Sequence, residues 1–267
     1  MNYNKYIFDV GANNGIDGLA MAINNHDCYV HAFEPNLKLC NKIKKLKIKL
    51  EKRKGIKIKN YKIHNLAVSN KKGVSTLNIS INDTVSSLNK LSKNLDRHWP
   101  GYKETVFKIK QKVKVKTITL FDFMKEKKIS HINYLHIDTQ GHDLKVLEGL
   151  KNKINYVYLG KLEASISKKV SAYLNNHTIK EVKEKLKKTN LKIYKISKID
   201  HLSKAGILNN EVDIFYKNKI KKNHNLNLNY NTRYYRRILG DRTYIKDDIV
   251  DFLFYFINKI FLIWQRK

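Results

Sequence analysis

Two glycines and an acid near the start of the chain have the spacing of a cofactor-binding turn. Asp9 interrupts a short apolar run of β-type residues at 6–10, and Gly11 and Gly15 bracket the turn that follows. Residues 16–23 then continue with helical spacing. A strand, a glycine turn and a helix bring backbone N–H groups and a helix N-terminus to the crevice at the carboxyl end of a parallel sheet. The pattern therefore predicts a ligand site in this crevice.

A second acid, Glu34, indicates what the ligand is. It ends a predicted strand at 28–33, roughly 20 residues past the turn, where folds of this kind bind ribose hydroxyls. The turn lacks the Gly-x-Gly-x-x-Gly spacing that binds a pyrophosphate. A turn with an acid suits a ligand with a positive charge and no phosphate. S-adenosylmethionine, which carries an ammonium, a sulfonium and a ribose, fits this description.

A second group of side chains, Asp138, His142 and Glu163, could do the chemistry. Asp138 ends a predicted central strand at 131–138, and Glu163 follows another buried run at 154–162. An alcohol is a poor nucleophile and gains from a general base, for which His142 is the first candidate because its ordinary pKa is near neutrality. Asp138 could instead cap the next helix. His136 is predicted to be a core residue. Asp138, His142 and Glu163 could together with Asp143 hold a divalent ion, but their spacing does not define a metal site.

The order of the predicted elements indicates an α/β fold. Strands and helices alternate as β-α-β-α-β, then an insertion, then α-β-α-β-α-β-β. This order predicts a doubly wound, mainly parallel sheet of seven strands with an antiparallel edge and helices on both faces. Thr178, with Glu181 three residues later, predicts the start of one helix as a capping box.

Composition limits the choice of partners. Lys and Arg number 54 against 23 Asp and Glu, a formal net charge of +31. The excess is nearly all dispersed lysine, whereas a nucleic-acid groove would concentrate arginine, so nucleic acid is not the expected partner. The two cysteines form neither a disulfide framework nor a metal cluster and predict a reducing, cytoplasmic compartment. Residues 1–5 lead directly into the first predicted strand, so no signal peptide is expected.

The chain resembles the FkbM family of S-adenosylmethionine-dependent methyltransferases. The resemblance rests on five segments, at 7–15, 33–36, 65–68, 115–120 and 135–149, of which Leu-His-Ile-Asp-Thr-Gln-Gly-His-Asp-Leu-Lys-Val-Leu-Glu-Gly is the most specific. His142 replaces a usual small residue, and Asp143 stands where Glu is commoner. The resemblance covers about residues 6–217 and implies a class I (Rossmann-like) methyltransferase fold that methylates a hydroxyl of a sugar or secondary metabolite.

The resemblance also implies roles for individual residues. Asp9, Gly11 and Gly15 would line the methionine end of the cofactor, together with Asn13 of the same turn, and Glu34 would bind the ribose. The adenine would lie at the tip of the third strand, beside Asn65 and Ala67.

The remaining segments predict two further parts of the molecule. Residues 1–220 form the expected methyltransferase domain, within which 82–116 is a lid or insertion. Residues 221–267 are a basic linker and an apolar C-terminal helix at 249–264. At 16 residues this helix is shorter than the roughly 20 needed to cross a bilayer. It is expected to pack on the domain, in a homo-oligomer, or at the inner membrane face.

Three functions stay open at this stage. The first is an O-methyltransferase acting on a glycan or another small hydroxylated acceptor. The second is an RNA methyltransferase that uses the basic surface. The third is a non-catalytic membrane-surface module of the same fold, which would not bind the cofactor.

Overall fold

The computed structural model describes residues 3–203, 206–221, 226–228 and 235. The strands of this part of the chain are β1 Lys5–Val10, β2 Cys28–Phe33, β3 Tyr61–His64, β4 Ala67–Val68, β5 Gly73–Ser80, β6 Ile109–Ile118, β7 Ile132–Ile137, β8 Val157–Ser165, β9 Leu191–Ser203 and β10 Gly206–Asn218. The α-helices are α1 Ile16–Asn24, α2 Leu37–Lys54, α3 Leu95–His98, α4 Leu120–Glu126, α5 Asp143–Glu148 and α6 Ile179–Lys187, with short 3₁₀ helices at Asp83–Val85 and Lys151–Tyr156.

Seven strands form the central sheet in the order β3-β2-β1-β7-β8-β10-β9. The first five of these run parallel, and β10 pairs antiparallel with both β8 and β9. The predicted α/β fold, with a mainly parallel sheet and an antiparallel edge, is confirmed. The predicted capping box is also present, since Thr178 and Glu181 bond each other's backbone at the start of α6.

The strand order reverses between β1 and β7, and this reversal fixes the position of the site. These two strands pair in parallel, with Asp9 opposite His136 and Val10 opposite Ile137. Crevices outside the carboxyl ends of strands at such a point are where open α/β sheets bind ligands. The ends of β1 and β7 therefore bring the glycine turn and Asp138 to one edge of the sheet.

The two faces of the sheet are buried against different layers. Because side chains alternate along β1, Phe8 and Val10 belong to the apolar cluster on the first face of the sheet. Ile7 belongs to the cluster on the second face, which also contains residues of helix α1. Both faces are buried because helices cover each of them, as parallel sheets require. Leu226, Leu228 and Tyr235, which belong to the predicted linker, also pack on the second face.

A second, three-stranded sheet lies in the middle of the chain, in the order β4-β6-β5. The alternation of residues 74–81 after a turn at 70–73 predicts a hairpin with the strand before that turn. The structure instead pairs β5 antiparallel with β6, a strand that begins about 30 residues later. Between them, Leu95, Trp99 and Phe107 are buried with Ala172 and Tyr173 in a separate small cluster. The predicted insertion thus has apolar packing of its own.

Both cysteines are buried in the main domain. Cys28 lies in β2 and Cys40 in α2. Burial raises the pKa of the Cys28 thiol to about 12 and that of Cys40 to about 11.

The predicted C-terminal helix at 249–264 lies outside the described residues. Among the helices that the structure does describe, none has the length and apolar character needed to cross a bilayer.

Candidate functional site

A cavity of about 530 Å³ opens at the carboxyl edge of the sheet, between the ends of β1 and β7. Its wall combines the glycine turn, the tips of β2 and β4, the 82–88 segment, the loop after β7, and parts of β8 to β10. The acidic and histidine side chains of this wall are Asp9, Asp17, Glu34, Asp83, His136, Asp138, His142, Glu163, His201 and Glu211. None of the described residues that line it is Lys or Arg.

The glycine turn brings the ends of β1 and β7 into close contact. Gly11 has a φ of 90°, and a Cβ added there would lie 1.8 Å from the carbonyl oxygen of Asp138. The N–H groups of Gly11 and Ala12 both donate to the carbonyl of Phe33, at 3.0 Å. The prediction that this turn offers its backbone N–H groups to the ligand is therefore wrong for these two. Because these two N–H groups are already bonded to Phe33, they are not available to a phosphate, which agrees with a ligand that has none.

Glu34 connects the tip of β2 to the same turn. Its Oε2 accepts from the N–H of Asn13 at 2.9 Å, and its Oε1 accepts from the N–H of Asn36 at 2.7 Å. Burial raises the pKa of Glu34 to about 7, although the two N–H groups act in the opposite direction. Each carboxylate oxygen keeps a further lone pair, so Glu34 can still accept from a ligand hydroxyl.

Asp9 and His136 form a buried pair beneath the turn. Oδ1 of Asp9 lies 2.9 Å from Nδ1 of His136, and Oδ2 faces Gly18, where an added Cβ would come within 2.5 Å of it. Burial alone would lower the pKa of His136, but the hydrogen bond and charge of Asp9 outweigh it, so the pKa is raised. His136 has the partner expected of a core residue, yet it also lines the cavity.

The other predicted cofactor residues are divided between the cavity and its surroundings. Asn13 and Ala67 line the cavity, and Ala67 lies in an apolar part of the wall with Phe33 and Leu66. Gly15 does not line the cavity. It faces helix α2, where an added Cβ would lie 2.7 Å from the side chain of Ile43.

Asn65 also lies away from the cavity. Its side chain is exposed, and its amide donates to the carbonyls of Glu34 and Pro35 at 3.1 and 2.9 Å. Gly15 and Asn65 therefore support the site from outside.

Asp138 lines the cavity, and its carboxyl accepts from the side-chain amide of Gln140 at 2.7 Å. Burial and the neighbouring charge of Asp143 raise the pKa of Asp138 to about 6. It is not the cap of helix α5, whose first flanking residue is His142.

His142 lines the cavity with both of its ring nitrogens engaged. Nδ1 lies 3.3 Å from Oδ1 of Asn89, and Nε2 lies 2.9 Å from Oγ of Ser69. Because an amide oxygen only accepts, Nδ1 carries the proton and Nε2 accepts from the serine hydroxyl. Burial lowers the pKa of His142 to about 4. This arrangement leaves neither nitrogen available to a ligand hydroxyl.

Glu163 lies inside β8 rather than at its end, because β10 continues to pair with β8 as far as Ser165. Its side chain lines the cavity. Its backbone N–H donates to Oδ2 of Asp143 at 2.9 Å, and Oδ1 of Asp143 accepts from Thr139 N–H at 2.8 Å. Asp143 thus joins the loop after β7 to β8 and has no side-chain oxygen directed at the cavity.

Glu211 and His201 complete the far end of the cavity, and sequence reasoning missed both. Oε2 of Glu211 lies 3.1 Å from Nε2 of His201. The two residues belong to the antiparallel strands β10 and β9, where the pairing shifts between Leu208 and Glu211. No local motif marks either residue, so only the long-range pairing could have identified them.

The segment at 82–89 forms one wall and is bonded to the loop after β7. Ser87 Oγ donates to the carbonyl of Gln140 at 2.6 Å, and Asn89 Nδ2 donates to that of Gly141 at 2.7 Å. The Tyr173 hydroxyl lies 2.8 Å from the carbonyl of Val85. These bonds hold the segment beside the loop after β7.

No three His, Cys, Asp or Glu side chains are arranged to hold a metal ion in the part of the chain that the structure describes.

The fold and the site define a doubly wound α/β protein with a cavity at the switch point of its sheet. A model of the methyltransferase FkbM domain matches residues 9–190. The chain therefore belongs to the FkbM methyltransferase family, and S-adenosylmethionine is its cofactor. A search of the curated proteins finds no significant match.

Several solved structures are similar to this chain. Methyltransferase FkbM from Methylobacillus flagellatus KT is 13% identical, with 80% of this chain and 43% of that chain covered and a TM-score of 0.42. TrmK of M. capricolum, in complex with S-adenosyl-homocysteine, is 16% identical, with 94% and 80% covered and a TM-score of 0.42. The chain thus spans less than half the length of the Methylobacillus protein.

The residues present fit S-adenosylmethionine. A site for this cofactor needs acceptors for an ammonium and for ribose hydroxyls, no phosphate-binding group, and an apolar surface for the adenine. The wall supplies carboxylates at Asp9 and Glu34, the bare backbone of Gly11, and the apolar side chains of Phe33 and Leu66.

Proposed function

We propose that this protein transfers a methyl group from S-adenosylmethionine to a hydroxyl of an uncharged, sugar-like acceptor. The observation that carries the proposal is the charge of the cavity. Its described lining includes seven acidic side chains and no Lys or Arg, in a chain with a net charge of +31. Such a wall attracts the cationic cofactor, accepts hydrogen bonds from hydroxyls, and repels phosphates.

Within this proposal the glycine turn and the tips of β2 and β4 hold the cofactor. Asp9 and Gly11 lie at the methionine end, and Glu34 accepts from the ribose. Phe33, Leu66 and Ala67 pack against the adenine. The cavity then continues past Asp138 to Glu163 and Glu211, which leaves that end for the acceptor.

When bound, the cofactor supplies an electrophilic methyl group on a sulfonium. The protein's contribution is then to align the acceptor hydroxyl and to keep water away. Asp138 and Glu163 are placed to accept hydrogen bonds from acceptor hydroxyls. The segment at 82–89 closes one side through its bonds to Gln140 and Gly141.

The test uses methyl-labelled S-adenosylmethionine with three matched sets of acceptors: neutral oligosaccharides, the same sugars phosphorylated, and RNA. We expect label in the neutral sugars, recovered as a methyl ether by mass spectrometry. Label confined to RNA or to phosphorylated sugars would contradict the proposal. If calorimetry detects no binding of S-adenosylhomocysteine, the chain is a non-catalytic module.

RNA is the second candidate, and one surface favours it. Four exposed lysines stand at alternate positions of β6, so they share one face of the second sheet. They are Lys110, Lys112, Lys114 and Lys116. A row of cations on a strand is a place where a phosphate backbone could lie. RNA binding lost on changing Lys112 and Lys116 to Glu, with label found in RNA, would favour this candidate.

A further inference from the structure

We propose that Glu211, together with Glu163, forms a carboxyl pair that receives the proton of the acceptor hydroxyl, with Glu211 as the group that binds it. This inference rests on the proposed function and names the residue that performs its proton transfer. It replaces the prediction from sequence that His142 is the base.

The two glutamates come from adjacent antiparallel strands. In the register of β8 and β10, Glu163 lies opposite Asp213 and Glu211 opposite Ser165, so the two are diagonal neighbours on one face. Both line the cavity, and each carboxyl lies within reach of the other's charge. Two carboxyls that share one site do not both ionise readily, so one of them keeps a proton.

The neighbours decide which glutamate holds that proton. Nε2 of His201 lies 3.1 Å from Oε2 of Glu211. Burial, followed by the charges of Glu211, Asp138 and Asp143, raises the pKa of Glu163 well above its ordinary value. The remaining titratable groups that interact with the pair are Lys161 and Tyr173. Glu163 is therefore the member of the pair that carries the proton, which leaves Glu211 as the proposed base.

A carboxylate whose neighbour is protonated is suited to this reaction. As the acceptor oxygen bonds to the methyl carbon, the carbon–sulfur bond breaks with its electron pair going to sulfur. The hydroxyl proton passes to Glu211. The positive charge of the sulfonium and the negative charge of Glu211 are lost together, so the transfer leaves no new charge in the buried cavity.

The first test measures protonation and needs no acceptor. Infrared spectra of the full chain, with glutamate carboxyls isotopically labelled, are recorded with bound S-adenosylhomocysteine at pH 8, above the pKa of Glu34. We expect the protonated-carboxyl band of a glutamic acid in the wild type and its loss in Glu163→Gln. The matched control is Glu148→Gln, whose carboxylate accepts from Asn70 outside the cavity and whose removal should leave the band unchanged.

The second test measures turnover of the acceptor found above. Glu211→Gln should lower kcat about 100-fold or more, the usual size of a lost general base. The affinity for S-adenosylhomocysteine should stay within threefold, and the pH profile should lose its acidic limb. Glu148→Gln should retain wild-type turnover.

The outcomes separate the two proposals. Absence of the glutamic-acid band from the wild type overturns the carboxyl pair, whatever the acceptor proves to be. If Glu211→Gln keeps wild-type turnover, Glu211 is not the base, although methyl transfer to a hydroxyl stands. If the glutamic-acid band is present but no hydroxyl is methylated, the proposed function is overturned, and the role of Glu211 with it.

Discussion

The buried carboxyl of Glu34 makes cofactor affinity depend on pH. With a pKa of about 7, it is partly protonated at neutrality, and a protonated carboxyl accepts fewer hydrogen bonds. We expect the affinity for S-adenosylhomocysteine to rise between pH 6 and 8 in the wild type. In Glu34→Gln the affinity should fall by about 1–3 kcal/mol and lose this pH dependence. Calorimetry at the two pH values measures both effects, and an unchanged affinity in the variant would remove Glu34 from the ribose site.

The same residue affects stability with the opposite trend. Between pH of about 4.5 and 7, the folded protein keeps a proton on Glu34 that the unfolded chain has released. The contribution of Glu34 to the free energy of unfolding therefore falls as pH rises through this range. Glu34→Gln should reduce that slope in denaturant titrations of the protein without cofactor.

We expect His142 to have a structural role and not to act as the general base. It is buried between Ser69, which follows β4, and Asn89, which follows the 82–88 segment of the cavity wall. We expect His142→Ala to lower the free energy of unfolding by about 1–3 kcal/mol, because it leaves two buried polar groups unpaired. The shape of the pH profile of turnover should be unchanged. If the acidic limb of that profile disappears in the variant, His142 is the base after all.

At the scale of elements, the contact between the ends of β1 and β7 depends on one missing Cβ. Gly11→Ala would place a methyl 1.8 Å from the carbonyl oxygen of Asp138. We expect it to separate the two strand ends, lower the free energy of unfolding by about 2 kcal/mol or more, and weaken cofactor binding.

The matched control for this prediction is Gly55→Ala. Gly55 also has a positive φ, of 64°, but an added Cβ there meets nothing within 4 Å. It should show the cost of the backbone conformation alone, about 1 kcal/mol, with normal cofactor binding. Equal losses in the two variants would mean that the close approach to Asp138 does not matter.

The elements that sequence predicts well are those whose signal is local. The predicted range of β2 is identical to the observed one. The prediction for β1 differs by one residue at its start, and that for β7 by one residue at each end, because buried apolar runs bounded by polar residues define these strands. The partner of β5 could not be predicted, since it lies beyond Trp99 and the small cluster around it.

The same distinction between local signals and long-range pairing explains which residues of the site could be predicted from the sequence. Asp9 lies within a strand with a clear pattern, and Gly11, Glu34 and Asp138 directly follow such strands. The structure brings all four to one cavity. Glu211 reaches that cavity through an antiparallel strand with a shifted register, which no pattern in the sequence specifies. His136 was assigned to the core by alternation, which gives the face of a strand but not how close that residue lies to its open end.

At the scale of the whole molecule, the tail remains a prediction. We expect the apolar residues at 249–264 to bind an anionic membrane surface, with Arg266, Lys267 and the basic linker close to the lipid headgroups. Liposome flotation should recover the full chain, whereas a chain ending at residue 237 should stay in solution. This truncation keeps Tyr235, which packs against the domain.

Other results of the flotation experiment would assign residues 249–264 a different role. Flotation of both chains, or of neither, contradicts the membrane role. A full chain that does not float but sediments as a dimer, while the shortened chain is a monomer, would assign the apolar segment to a partner subunit.

The burial of both cysteines has a practical consequence for observing the molecule at work. Thiolates react with maleimides and thiols hardly do, so groups with a pKa of about 12 and 11 stay unmodified at neutral pH. A single cysteine placed at Thr84, on the cavity wall, would then be the one position that takes a fluorophore. Its emission could follow cofactor arrival in real time without any removal of the native cysteines.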